Sequence, residues 1–365
     1  MVMVTTGRAR LVALCALLSL PPLGGALADP AIKPAITGLI ATAGSDQKNT
    51  LDPLNAFQGI FGGYVVRTTW KELQRTGASD FDTTVIDGAL DKVRQYNDAV
   101  AAAMLPPPNN RQIGVRLRVW AGCDDTPEWA TKLDGGPITI TAHYGRAFET
   151  CKFGRFWDTT SDYAAAWRQL QAMLANRYDN LPLVHEVAVT SCTSFSAEPF
   201  FLPWQHQGDT TKTALLGAHF TDGDYRQCLQ SAVADYAPWQ KTRLEYTFNP
   251  FYGLNTQDDV AFSEQVMRGC RQAAGQRCIL SNHDLAAHPP TASAILPLYA
   301  AMRRLGPNIT FQAYVAAPND YEGTIRKGVS LGAGSIEVWQ ERKAGSFEHQ
   351  TAATLESWAS MFEPQ

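Results

Sequence analysis

Short apolar runs alternate along this chain with longer stretches in which apolar residues recur every three or four positions. The short runs read as strands at 35–43, 62–70, 112–120, 183–192, 243–249, 278–284, 309–316 and 334–340. The longer stretches read as helices at 81–100, 161–178, 222–237, 258–274, 291–305 and 347–362. In the first helix Val85, Ile86, Ala89, Leu90 and Val93 share a face, and Pro106-Pro107-Pro108 stops it. The stripe Tyr163, Trp167, Leu170 and Leu174 marks the second. A long loop at 121–158 carries Cys123, Trp129 and a Gly135-Gly136-Pro137 turn, and a second long loop follows the fourth strand. Residues 321–328 read as a short connection.

Eight strands alternating with helices predict an α/β fold, a single (β/α)8 barrel with long loops after strands three and four. A doubly wound open sheet is the competitor. It would want a glycine-rich phosphate turn after its first strand, and none is present. No internal repeat, low-complexity linker or charge block marks a domain boundary, so residues 29–365 read as one domain.

Composition narrows the partners. The chain has 365 residues, 45% hydrophobic and 18% charged, with a formal net charge of −4. No basic run suggests nucleic acid. Nine tryptophans suit a carbohydrate groove, although most such residues serve a core. Residues 1–28 predict a signal peptide: Arg8 and Arg10, the apolar run 11–20, then Ala26-Leu27-Ala28 before Asp29. The expected location is therefore secreted or periplasmic, as a monomer without membrane attachment after cleavage. Leu14 before Cys15 disfavours lipidation.

Six cysteines remain beyond residue 28, and six allow fifteen connectivities. Pairing of sequence neighbours predicts Cys123–Cys151, Cys192–Cys228 and Cys270–Cys278. No zinc-ribbon or HExxH spacing appears, so no metal or other cofactor is expected. No Gly-x-Ser-x-Gly elbow supports a serine hydrolase either.

In a (β/α)8 barrel, chemistry collects at the C-terminal ends of the strands. That rule singles out Trp120 and, just beyond it, Asp124, Asp125 and Trp129. It also selects Glu198 after strand four, Asn249 after strand five, His283 and Asp284 after strand six, Gln312 and Tyr314 on strand seven, and Glu337 and Trp339 on strand eight. Plainer readings stand beside these. Glu337 can pair with Arg67, Arg116 or Arg118 on inward strand faces, and Glu198 can be an exposed loop acid. Asp124 and Asp125 can be turn or cap residues, and His283 and Asp284, a sugar-binding pair or an alternative acid on the functional reading, can be a plain polar cluster. Glu245 is a weaker replacement for the second carboxylate, or an ordinary buried ion pair. Trp120, Trp129, Trp157, Trp204 and Trp339 can each be core.

These features resemble the (β/α)8 glycoside hydrolases, in particular the retaining clan with a catalytic Glu after strand four. The resemblance rests on Trp70-Lys71-Glu72-Leu73 after strand two, Asp80-Phe81-Asp82 at the next helix, Glu198-Pro199, and Trp339 on strand eight. It implies a glycosidase using two carboxylates on a polysaccharide or oligosaccharide. The clan places its nucleophilic Glu on strand seven, where this chain has Phe311-Gln312-Ala313-Tyr314, and Ala197 stands where an Asn precedes the acid. Glu198 is then the expected acid/base, its pKa raised by a loop rich in Phe and Pro. Glu337 is the expected nucleophile or base, held ionised by arginines, with Arg67 and Arg118 orienting or pairing. Trp120, Asp125, Trp129, Asn249, His283, Gln312, Tyr314 and Trp339 are the expected sugar contacts. The alternative is a non-catalytic carbohydrate-binding or cell-envelope protein on a decayed hydrolase barrel.

Overall fold

The computed structural model describes residues 31–43, 49–107, 109–144, 147–194, 197–200, 202, 208–290, 293–314, 320–340 and 346–363. The proposed signal peptide and Trp204 lie outside them. From Ile32 onward the chain forms one compact unit.

Its centre is a closed, all-parallel barrel of eight strands. In chain order these are β1 (Gly38–Thr42), β2 (Gly63–Thr69), β3 (Gly114–Trp120), β6 (Val184–Val189), β7 (Arg243–Thr247), β8 (Cys278–Leu285), β9 (Ile309–Ala313) and β10 (Ala333–Trp339). β10 closes onto β1 in the register Gly38 to Ser335 through Thr42 to Trp339. The open-sheet alternative is thereby excluded: a parallel sheet whose last strand pairs with its first has no edge.

The alternation of side chains explains how one strand serves two cores. Outward-facing Leu117, Leu244, Tyr246, Leu280, Phe311, Ile336 and Val338 join one continuous apolar layer with the helices. Inside the barrel, Ile36, Ile40 and Val65 make a separate small apolar cluster. The rest of the lumen described below is polar, which is unusual for a packed barrel interior.

The helices follow from their stripes and caps. α4 (Asp162–Tyr178) starts at Ser161, whose hydroxyl accepts from the Ala164 amide, and buries Tyr163, Trp167, Leu170 and Leu174 as its periodicity predicts. α2 (Thr84–Ala102) buries Ile86, Ala89, Leu90 and Val93, but Val85 lies at the edge of the stripe and is 37% exposed. α6 (Asp222–Ser231) is capped by Thr221, and α7 (Val260–Ala274) by Asp259. α8 (Ile295–Leu305) and α10 (Ala352–Ser360) complete the longer helices.

Four expectations need correction. The loop at 121–158 contains an antiparallel hairpin, β4 (Ile138–Tyr144) with β5 (Ala147–Phe153). Its Ile138-Thr139-Ile140-Thr141 alternation is a strand signal in its own right, and Ile138, Ile140, Cys151 and Phe153 are buried. The supposed connection at 321–328 is a helix, α9 (Tyr321–Ser330), capped by Asp320. A further helix, α5 (Thr211–Gly217), lies in the loop after β6. Trp70 begins α1 (Trp70–Leu73), closed by a capping box between Thr69 and Glu72, rather than ending β2.

All three disulfides join the predicted pairs: Cys123–Cys151, Cys192–Cys228 and Cys270–Cys278. The first ties the hairpin to the turn after β3, and the second ties the turn after β6 to α6. Three disulfides in one domain point to an oxidising compartment. No helix among the described residues is long and apolar enough to cross a membrane.

Candidate active site

The polar lumen is built by alternate residues of neighbouring strands. Arg116 and Arg118 come from β3, Glu186 from β6, Glu245 and Thr247 from β7, His283 from β8, Gln312 from β9 and Glu337 from β10. Each is buried. Arg116 donates to Glu186 at 2.8 Å, to Thr310 at 3.3 Å, and also to Glu337. Arg118 donates to both Glu337 oxygens, at 3.1 and 2.6 Å. Gln312 adds a bond to Glu337 Oε2 at 2.6 Å.

Glu337 thus has both oxygens engaged and no exposed surface. Burial is the largest influence and opposes ionisation, but Arg118, Arg116 and His283 together outweigh it and bring the carboxyl down to about 2. Glu245 is held well below its ordinary range in the same way, its burial outweighed by Arg116, Arg118 and His283.

His283 stands between this buried layer and the barrel mouth. Its Nε2 lies 3.2 Å from Glu245 Oε1, 3.1 Å from the Thr247 hydroxyl and 3.3 Å from Arg118 Nη2. Its Nδ1 lies 3.2 Å from Glu198 Oε1. Burial and Arg118 oppose charging of the ring, but Glu198 and Glu245 prevail and raise its pKa to about 9. That value favours the imidazolium at neutral pH, the form in which both nitrogens can donate to the carboxylates beside them.

Glu198 is placed by a stapled turn. Thr190 donates to Val119 O at 2.6 Å, and Thr193 to Ala121 O at 2.7 Å. Cys192 is bonded to Cys228, and the Cys123 amide donates to Ser194 O at 2.8 Å. Beyond this turn the Glu198 side chain is 32% exposed, with Asn249 Nδ2 at 3.4 Å from Oε2. Asn249 is itself held by Asn282 at 3.0 Å.

The expected rise in the Glu198 pKa is not met. Burial does push upward, and most strongly, but the His283 hydrogen bond and charge, Arg118 and Asn249 bring it below the ordinary value. Aromatic surroundings alone could not reveal this, because the deciding cation comes from a strand 85 residues away.

Asp284 behaves oppositely. The β8–β9 register shifts between Asn282 and Leu285, so three steps on β8 pass two on β9 at this point. The irregularity falls on His283 and Asp284 and re-aims them at the strand end. Asp284 is solvent-exposed yet hemmed in by protein, the situation of a group lining a cleft. Desolvation, then the negative charge of Glu198, push its carboxyl up to about 6.

The other expected contacts divide. Arg67 lies over the Trp120 ring, 3.7 Å from its centroid, and both are half-buried. Trp339 is half-buried with its indole donating to Ala313 O at 2.8 Å, and Tyr314 is 46% exposed. Gln312 is turned onto Glu337. Trp129 is turned into the wall: its indole donates to Gln74 O at 2.7 Å, and its ring meets Trp70 edge-on at 5.8 Å. Trp157 is core, at 3% exposure. Asp125 sits in the turn Cys123–Asp125, half-buried.

Sequence reasoning did not single out Glu186, Thr247 or Asn282 for the site. The period-two positions shared with Glu245 and Asn249, and the step before His283, are the signals that could have found the last two. Glu245, His283 and Glu337 bring three metal-type ligand atoms within 4.8 Å of one another. Arg118 Nη2 already sits among them, 2.6 Å from Glu337 and 3.5 Å from Glu245. The donor set is neutralised by protein cations and does not fit a metal ion.

No protein-family model matches the sequence, and no curated protein matches it. Solved structures do resemble it. The catalytic domain of β-amylase from Paenibacillus polymyxa matches with a TM-score of 0.56 at 10% identity, over 92% of this chain and 100% of that one. A glycoside hydrolase family 30 subfamily 8 xylanase from Clostridium acetobutylicum matches with a TM-score of 0.50 at 12% identity, over 91% of this chain and 72% of that one. At such identities the likeness is one of fold. The chain is a (β/α)8 barrel of the kind on which these glycoside hydrolases are built.

Proposed function

We propose that this protein is an exported glycoside hydrolase acting on a polysaccharide or oligosaccharide through two carboxyl groups, Glu198 and Asp284. One observation carries the reading. Two carboxyls reach solvent at the C-terminal end of a closed barrel, and their surroundings push their pKa values apart. Glycosidic cleavage needs that combination: a protonated acid for the leaving oxygen, and an ionised partner for the oxocarbenium-like centre.

Asp284, up at about 6, is the proton donor. Glu198, held ionised by His283, is the nucleophile or base. The role suggested for Glu198 by its loop is thus reversed. Glu337 is assigned no contact with substrate, because its oxygens are occupied by arginine and Gln312 donors and none of its surface is exposed. Trp339, Tyr314 and the Arg67-covered Trp120 supply rings at the mouth on which a sugar can stack. Export is supported by the three disulfides and by the N-terminal pattern of Arg8, Arg10 and the apolar run.

The test is release of reducing ends from a panel of neutral and acidic polysaccharides by the wild type, E198Q and D284N. Each variant is expected to lose about 10²-fold or more in kcat. Hydrolysis that survives both changes sinks the carboxyl-pair reading. A wild type that binds glycans and cleaves none establishes the non-catalytic alternative.

A further inference from the structure

The site has a component beneath it that the carboxyl pair does not use directly. Glu245 is buried on β7, with Oε1 3.2 Å from His283 Nε2 and 3.1 Å from the Thr247 hydroxyl. The other nitrogen of the same ring reaches Glu198. We propose that Glu245 is a positioning residue: by accepting from His283 Nε2–H it fixes the ring whose Nδ1–H holds Glu198, and so decides which of the two carboxyls at the mouth carries the negative charge. The inference rests on the glycosidase reading and deepens it.

The charges facing His283 define the device. Glu198 approaches from the loop after β6, Glu245 from β7, Arg118 from β3 and Glu337 from β10, while Asp284 follows it on β8. A neutral ring has one N–H, so one nitrogen would present a lone pair to a carboxylate, Nδ1 to Glu198 or Nε2 to Glu245, a repulsive contact. A proton on Nε2 turns that contact into a charge-assisted hydrogen bond. It then places a hydrogen opposite Arg118 Nη2, and the ionised Glu245, which faces both cations, compensates them at that spacing. Arg118 is anchored on its far side by both oxygens of Glu337. Glu337 thereby secures Arg118, Glu245 secures the imidazolium, and the imidazolium secures ionised Glu198.

Removing the charge of Glu245 therefore has a signed consequence. His283 loses a stabilising anion and its pKa falls. The ring, still charged at acid pH but no longer fixed by Glu245, holds Glu198 less well through Nδ1–H, and the Glu198 pKa rises. The acid limb of kcat/KM moves to higher pH, while KM changes little because Glu245 is 1% exposed and touches no substrate.

Two measurements decide the matter. The first is the 15N resonances of His283 in the wild type across pH 5–10, which need neither a variant nor a substrate. Both nitrogens are expected to be protonated at pH 7, and a neutral ring there overturns the proposal. The second compares E245Q and E245D with the wild type. E245Q is expected to lower the His283 pKa and to shift the acid limb up by about one unit, a tenfold change in the Glu198 ionisation equilibrium. E245D, which keeps the charge, should restore much of both. An unmoved acid limb in a folded, active E245Q overturns the proposal. If the wild type cleaves no glycan, the glycosidase reading fails on its own. The His283 titration then decides alone: a fall in E245Q sustains the coupling and no fall overturns it.

Discussion

Glu198 and Asp284 lie at one barrel mouth, yet their pKa values shift in opposite directions because, among the described residues, only Glu198 has a cation partner. Glu198 faces an imidazolium, whereas Asp284 faces the charge of Glu198. The pH dependence of hydrolysis follows with its sign. Catalysis requires Glu198 ionised and Asp284 protonated, so kcat/KM should fall as pH rises through about 6. D284N should abolish that basic limb along with most of the activity. A profile flat from pH 5 to 8 would remove Asp284 as the acid. A local sequence reading could nominate both residues but could not rank them. Burial acts on both, but His283 and Arg118 then decide Glu198, and the charge of Glu198 adds to Asp284, in each case from a partner distant in sequence.

At the scale of elements, what delivers Glu198 is not a strand but a turn fastened to its neighbours. Thr190 and Thr193 bind carbonyls at the end of β3, and the Cys192–Cys228 bridge clamps the turn to α6. The β4–β5 hairpin is fastened likewise through Cys123–Cys151, which closes a loop of 28 residues. Replacing both of these cysteines by Ser should cost about 3 kcal/mol of unfolding free energy, read from urea denaturation. The capping box that starts α1 directly after β2 carries a smaller share. Thr69→Ala should cost about 1 kcal/mol in the same measurement.

Across the whole molecule, the polar lumen makes stability depend on pH from both sides. Glu337 falls from an ordinary 4.5 to about 2 on folding. Its contribution is therefore present above pH 4.5 and is lost as pH falls toward 2. His283 rises from 6.5 to about 9, so its contribution is complete below 6.5 and is lost as pH climbs through 9. Urea midpoints should therefore be highest between about pH 4.5 and 6.5 and decline on either side. E337Q should cost about 3–5 kcal/mol, since it leaves two buried guanidinium groups short of an anion. That variant separates the roles: E337Q should fail first in stability, E198Q first in turnover, with only the smaller stability loss that follows from its pairing with His283.

The sequence by itself determined the barrel, the helix stripes of α2 and α4 and the three disulfide pairs. Each of these rests on local period, caps or neighbour spacing. It also brought forward Glu198, His283, Asp284 and Glu337, because side chains at the ends of barrel strands must share one face of the fold. The hairpin at 138–153 and α9 were legible too, in the Ile-Thr alternation and in Asp320 before an apolar stripe, but long-loop expectations hid them. Only the tertiary structure decided which acid is which. Glu337 is drawn under Arg116, Arg118 and Gln312, Trp129 is turned into the wall against Trp70, and a register shift on β8 lifts His283 and Asp284 to the mouth. Charge state depends on distances between strands that lie a hundred or more residues apart, such as those of Arg118 and Glu337, 219 positions apart, and no local pattern contains those distances.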